Sequence, residues 1–127
     1  MKFAKFFAWS IVAFALMDAI GDALCAAQPG KPGTLALLCY LPGPIWLLVS
    51  LVELLTSLKA GLPFFLPVFY MASYLSLAAF GLVYAVMHPQ DRGTVPLFIC
   101  CIGWAWDLCL VVLSLKYLRS LGAKAAQ

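Results

Sequence analysis

Four carboxylates stand inside long apolar stretches of this sequence: Asp18, Asp22, Glu53 and Asp107. No lysine or arginine lies deep in those stretches to pair with them. A charge at the centre of an apolar helix in hydrocarbon costs about 2.5–3.5 kcal/mol on insertion scales. Such groups must face a protein interior or water, or hold a proton. That is the chemistry of a cation or proton path. Out of water the charged form of a carboxyl is penalised, and a second carboxyl nearby penalises it further. Groups poised in this way can load and release a proton. Tyr and Ser hydroxyls can relay it or replace water around a cation. Trp46, Trp104 and Trp106 can meet an organic cation through their ring faces. The plainer alternative is that each acid is protonated and bonded to a hydroxyl or carbonyl, as packing glue between helices.

Helical spacing groups these residues on stripes. Asp18, Asp22 and Cys25 share one face of the first apolar stretch, with Ile11 and Ala15 below them. Trp46, Ser50, Glu53 and Ser57 share a face of the second. Tyr70, Ser73, Tyr74, Gly81 and Tyr84 fall at offsets 0, 3, 4, 11 and 14 in the third, and Cys100, Gly103, Trp104, Asp107 and Ser114 at 0, 3, 4, 7 and 14 in the fourth. These offsets keep returning to one side of a helix. Each stretch thus carries one polar or small-residue stripe on a greasy perimeter. At about 1.5 Å per residue, Glu53 lies about 9 Å in from Lys59 and Asp107 about 14 Å in from Lys116. On the same scale Asp18 and Asp22 lie about 20 and 26 Å in from Lys5. The expectation is a staggered ladder of four acids, supported by Tyr70, Ser73, Tyr74 and Trp104, with Asp18 and Asp107 nearest the midplane.

Composition sets the solvent. Of 127 residues, 65% are hydrophobic and 10% charged, where a soluble domain is about half apolar and about a quarter charged. The net charge of +3 from 8 basic and 5 acidic residues is too small for a patch that tracks phosphates, so no nucleic-acid partner is expected. The chain reads as an integral membrane protein of the plasma or inner membrane, with the lipid bilayer as its surroundings. One span takes about 20 residues, and four fill the chain. The expected fold is all-α: a single domain over 1–127, an up-down four-helix membrane bundle with both termini cytoplasmic. Its helices are expected at about 6–27, 35–58 with a break at 42–44, 62–87 and 95–118. Long continuous apolar runs without strand alternation exclude a transmembrane barrel.

The first run follows Lys2 and Lys5 and stops at Gln28-Pro29-Gly30. A secretory signal peptide has a similar start, but this run is longer and Asp18 and Asp22 interrupt it, which favours an anchor helix. Pro42-Gly43-Pro44 breaks the second run. Pro63 suits a helix start, so Pro67 is the expected kink of the third. Lys2, Lys5, Lys59, Lys116, Arg119 and Lys124 fall on one side of a four-span arrangement, and Lys31 and Arg92 on the other. That bias puts both termini in the cytoplasm. Five cysteines without a CxxC spacing read as small apolar residues. The one histidine, His88, sits in a loop, so no metal site is expected. Trp9, Tyr40 and Tyr117 fit an interfacial belt. Ala15, Ala19 and Ala23 form a ridge for close helix packing.

Two functions from different classes fit these features. The first is an oligomeric transporter or channel for protons, a cation, or a proton-coupled small or hydrophobic solute, with Asp18, Asp22, Glu53 and Asp107 as its path. The alternative is a non-catalytic accessory subunit of a larger membrane complex. Partners are expected to be further copies of the chain or other membrane subunits. An enzyme is not expected, because no nucleophile, phosphate loop or metal-ligand set accompanies the acids. No catalytic residue and no cofactor is assigned.

Overall fold

The computed structural model describes residues 2–27, 33–91 and 96–126. These form the helices α1 (Lys2–Ala27), α2 (Thr34–Tyr40), α3 (Gly43–Ala60), α4 (Phe65–Met87) and α5 (Leu97–Ala126), with a 3-10 turn at Pro89–Asp91. Among the described residues there is no strand. Four stretches are long and apolar enough to cross a membrane: Lys2–Ala27, Leu38–Ala60, Phe65–Met87 and Leu97–Lys124. Lys31 and Arg92, which enter the charge bias, lie outside the described residues.

Proline and glycine explain the boundaries. Helix α2 ends at Tyr40 and α3 restarts at Gly43. The Pro42 carbonyl accepts the N–H groups of Ile45 at 3.0 Å and Trp46 at 3.2 Å, and Pro44 falls in the first turn, where its missing N–H costs nothing. Gly43 is also a contact point. The Tyr70 hydroxyl donates to its carbonyl at 3.0 Å, and a Cβ there would lie 2.7 Å from the Tyr74 ring. At the other end of α3, Gly61 turns left-handed at φ 68°, and the next N–H, that of Leu62, bonds to the Ser57 carbonyl at 3.0 Å. Glycine takes this conformation without the Cβ penalty.

Three boundaries differ from the sequence expectation. Helix α4 begins at Phe65 rather than near 62: Pro63 disfavours helical backbone at Leu62 before it, and Phe64, at φ −135°, is the cap residue. Pro67 is then the third helical residue, where an N–H has no intrahelical partner, so it sits in the first turn and does not act as a kink. Helix α1 starts at Lys2 and α5 runs on to Ala126. The added ends are rich in Lys and Ala, which are good helix formers.

Helix α1 is the most enclosed element and packs on α5, α2 and α3, while α3 packs on α4. Phe7, Ile11, Phe14, Leu66, Tyr70, Leu110, Tyr117 and Leu121 form the buried centre. In a bilayer such contacts act through close packing rather than escape from water. Phe14 anchors the middle: its ring centroid lies 5.3 Å from Trp46, 5.4 Å from Tyr70 and 5.9 Å from Trp106. One ring from α1 thereby touches α3, α4 and α5. Beyond Tyr70, α4 has no fully buried residue. Its second half meets α5 where Tyr84 packs edge-on against Phe98 at 5.6 Å, and leaves a cleft before that contact. On the outside of the α1–α5 seam, the Trp104 Nε1 donates to the Ala19 carbonyl at 3.2 Å. Trp104→Phe is expected to cost about 0.6 kcal/mol, the mean for such bonds in membrane helices. Unfolding in mixed micelles checks this; a loss above about 2 kcal/mol would exceed that class of bond and give Trp104 a larger role.

Candidate cation and proton site

Asp18 and Asp22 are one turn apart on α1, and Gly103 and Asp107 are one turn apart on α5. The two helices pack through these faces. Oxygens of Asp18, Asp22 and Asp107 come within 4.8 Å of one another. The three residues are only 7%, 4% and 4% exposed. Gly103 makes the approach possible, since a Cβ there would collide with the Asp22 carboxylate.

The triad is sparsely bonded. Asp22 Oδ1 accepts the Tyr40 hydroxyl at 2.6 Å, and that hydroxyl lies 3.6 Å from Cys25 Sγ. Asp22 Oδ2 and both oxygens of Asp107 are buried and accept no hydroxyl or N–H among the described residues; Asp18 is their carboxyl neighbour. The next basic residue along α5, Lys116, is about 14 Å away at helical rise. Two full charges at this separation repel by about 3 kcal/mol even at an effective dielectric near 20. Three such charges cannot stand together, so the cluster has to take up protons or a cation. Oxygens at this spacing can share a proton or reach one small cation at roughly 2.0–2.6 Å.

Glu53 lies apart from the other three. Its Oε1 accepts both the Ser57 hydroxyl at 2.7 Å and the Tyr117 hydroxyl at 2.7 Å. Tyr117 is ten residues along α5 from Asp107, or about 15 Å. The aromatic layer around Phe14 fills part of that interval. Glu53 Oε2 has no hydrogen-bond partner, and neither has Ser50 Oγ or Ser114 Oγ, all three buried. Ser50 and Ser114 lie on the triad side of Glu53 and Tyr117 along their own helices. The acids thus form a group of three and a separate fourth, rather than four even rungs.

The supporting residues take different places. Tyr70 bonds to the Gly43 carbonyl. Ser73 donates to the Phe69 carbonyl at 2.6 Å and accepts Trp106 Nε1 at 2.8 Å. Both hold the aromatic layer together. Tyr74 stacks on Tyr70 at 5.7 Å and faces the cleft. Trp104 sits on the outer seam. Two residues assigned above to the interfacial belt belong to the site instead: Tyr40 binds Asp22, and the fully buried Tyr117 binds Glu53. Tyr117 continues the stripe through 107, 110 and 114, a signal present in the sequence. Tyr40 carries no periodic signal, because the break at Pro42 sets its position.

The cleft between α4 and α5 is a cavity of about 300 Å³. Asp18, Asp22 and Tyr40 lie on its polar side, with Phe14, Tyr74 and Trp106 among its walls. No protein-family model matches the chain, and no curated protein or solved structure matches it significantly. What this site does must follow from its own geometry.

Proposed function

We propose that this chain is a small multi-pass membrane carrier or channel for protons, or for a cation exchanged with them. The observation that supports this is the convergence of Asp18, Asp22 and Asp107, buried with three carboxylate oxygens that accept no hydroxyl or N–H among the described residues. A contact that only joined α1 to α5 would be better made with small apolar residues, since each intramembrane acid is costly. Glu53 extends the path, with Ser50 and Ser114 as hydroxyls between it and the triad.

The helices run up and down, with both termini and the turn at Gly61 in the cytoplasm, as the basic bias requires. The triad then lies nearer the outer surface and Glu53 nearer the cytoplasm. A reporter fused after Gln127 is expected to be active only on the cytoplasmic side; external activity would invert the path. The open half of α4 suits a second copy of the chain. It equally suits a different membrane subunit, which is what favours the accessory-subunit reading. Copurification separates these: one polypeptide in an oligomer supports the carrier, and stoichiometric foreign chains support the subunit.

The direct test is reconstitution in liposomes holding an internal pH dye, with outward gradients of Na+, K+ and alkylammonium ions imposed in turn. Proton movement driven by at least one gradient is expected. Wild-type protein that moves protons neither under these gradients nor under a K+ diffusion potential set by valinomycin would remove the carrier and channel functions and leave the accessory subunit.

A further inference from the structure

We propose that the cavity between α4 and α5 binds a hydrophobic organic monocation, with its charged head at Asp18 and Asp22 and its apolar body against Tyr74, Trp106 and Phe14. This names the substrate class of the carrier function above and rests on it. Four observations converge. The cavity of about 300 Å³ has the volume of about ten waters and stands at the small end of ligand pockets. That suits one compact arylalkylammonium ion. Its polar side is made by Asp18, Asp22 and Tyr40, with no basic side chain among the described residues that line it.

The walls decide between cation classes. A divalent metal ion needs about six or more oxygen ligands or ordered waters. Around the two acids the cavity presents aromatic rings and aliphatic side chains such as Leu77 and Ile99. Ring faces attract a diffuse organic cation and cannot replace missing oxygen ligands. The entrance agrees. Phe80 and Ile102, 47% and 40% exposed, belong to the lining and reach the outer surface of the bundle. The cavity therefore opens between helices, where a lipid-soluble cation arrives from the bilayer. Gly81 belongs to the lining, and a Cβ added there would meet nothing within 4 Å, so a larger side chain at this position has room to extend.

The test is equilibrium dialysis of radiolabelled benzyltrimethylammonium against the full chain in lipid nanodiscs, with empty nanodiscs subtracted. Tetramethylammonium keeps the charge without the ring, and neopentylbenzene keeps the shape without the charge. Each is expected to compete at least tenfold less well than unlabelled benzyltrimethylammonium. Asp22→Asn removes the charge, and Gly81→Leu fills the cavity without altering an acid. Each is expected to weaken binding at least tenfold while the gel-filtration profile and thermal unfolding stay unchanged. Absence of saturable binding overturns the inference, as does equal competition by either analogue or full binding by a folded Gly81→Leu protein. Proton flux driven by Na+ or K+ without benzyltrimethylammonium binding would remove this substrate class and keep the carrier. Saturable binding without flux under any gradient would keep the cavity's ligand class and remove transport.

Discussion

Asp107→Asn is expected to abolish cation-driven proton flux in liposomes, at least a hundredfold below wild type, while leaving the fold intact. Asparagine keeps the shape of the side chain and its capacity to hydrogen bond but cannot take up or release a proton. The hydrogen-bond partner of Asp107 is the Asp18 carboxyl, and an amide N–H can donate to it as a protonated carboxyl does, so little stability is at stake. Its neighbours are Asp18 and Asp22, within 4.8 Å, and either can accept from an amide. Asp18→Asn should match it, since the two acids stand on facing stripes. If the acids serve only as packing glue, both variants should transport as wild type does, because a protonated Asp and an Asn make similar bonds. Equal flux from both variants at matched protein content would therefore take the triad out of the path. Loss of flux together with loss of the gel-filtration peak would be misfolding, and the retained peak is what makes the result a test of chemistry.

The halves of the triad were legible in the sequence because helical periodicity reports faces. Asp18 with Asp22 and Gly103 with Asp107 each repeat at four residues. Their meeting was not legible, since period says nothing about which helix a face meets. Relative depth is not legible for a related reason. Flanking lysines do not mark one plane, so distances along the helices from Lys5 and Lys116 place Asp22 and Asp107 at different levels. Packing of α1 on α5 brings them together. Tyr117 was misread because proximity to Lys116 suggested an interface, although its position on the Asp107 stripe argued for burial. The cavity was invisible for another reason. It arises because α4 loses burial after Tyr70, and no residue pattern in α4 marks that departure: Leu77, Ala79 and Phe80 continue the same apolar composition. By contrast, Pro42-Gly43-Pro44 acts through backbone chemistry alone, and such effects are readable without knowing the neighbours.

Glu53 separates stability from transport most sharply, through two substitutions expected to behave oppositely. Glu53→Leu removes the acceptor of two buried hydroxyls. Ser57 can turn to its own helix, as Ser73 and Ser76 do by donating to carbonyls four residues back. Tyr117 has less freedom, because its ring is fully buried and packs edge-on against Phe65 at 5.2 Å. Its remaining polar neighbour is Ser57 Oγ at 3.3 Å. A buried hydroxyl with no acceptor costs about 1–3 kcal/mol. With the 3.3 Å contact to Ser57 in place of its 2.7 Å bond, Glu53→Leu is expected to lose about 1 kcal/mol, the low end of that range. Tyr117→Phe in the same background should restore part of it, by removing the weakly bonded donor. Glu53→Gln keeps a carbonyl oxygen where Oε1 stands, so both hydroxyls retain their acceptor and stability should stay within about 0.5 kcal/mol. The glutamine cannot carry a proton, so flux is expected to fall at least tenfold with folding unchanged. An anchoring carboxyl needs one bonded oxygen, yet Glu53 also buries an Oε2 with no hydrogen-bond partner among the described residues, as Ser50 and Ser114 bury their hydroxyls. A glutamine reproduces the anchor and removes the acid, so it isolates the one property that a path requires. A Glu53→Gln protein with wild-type flux would make Glu53 a structural bond and end the path at Asp107.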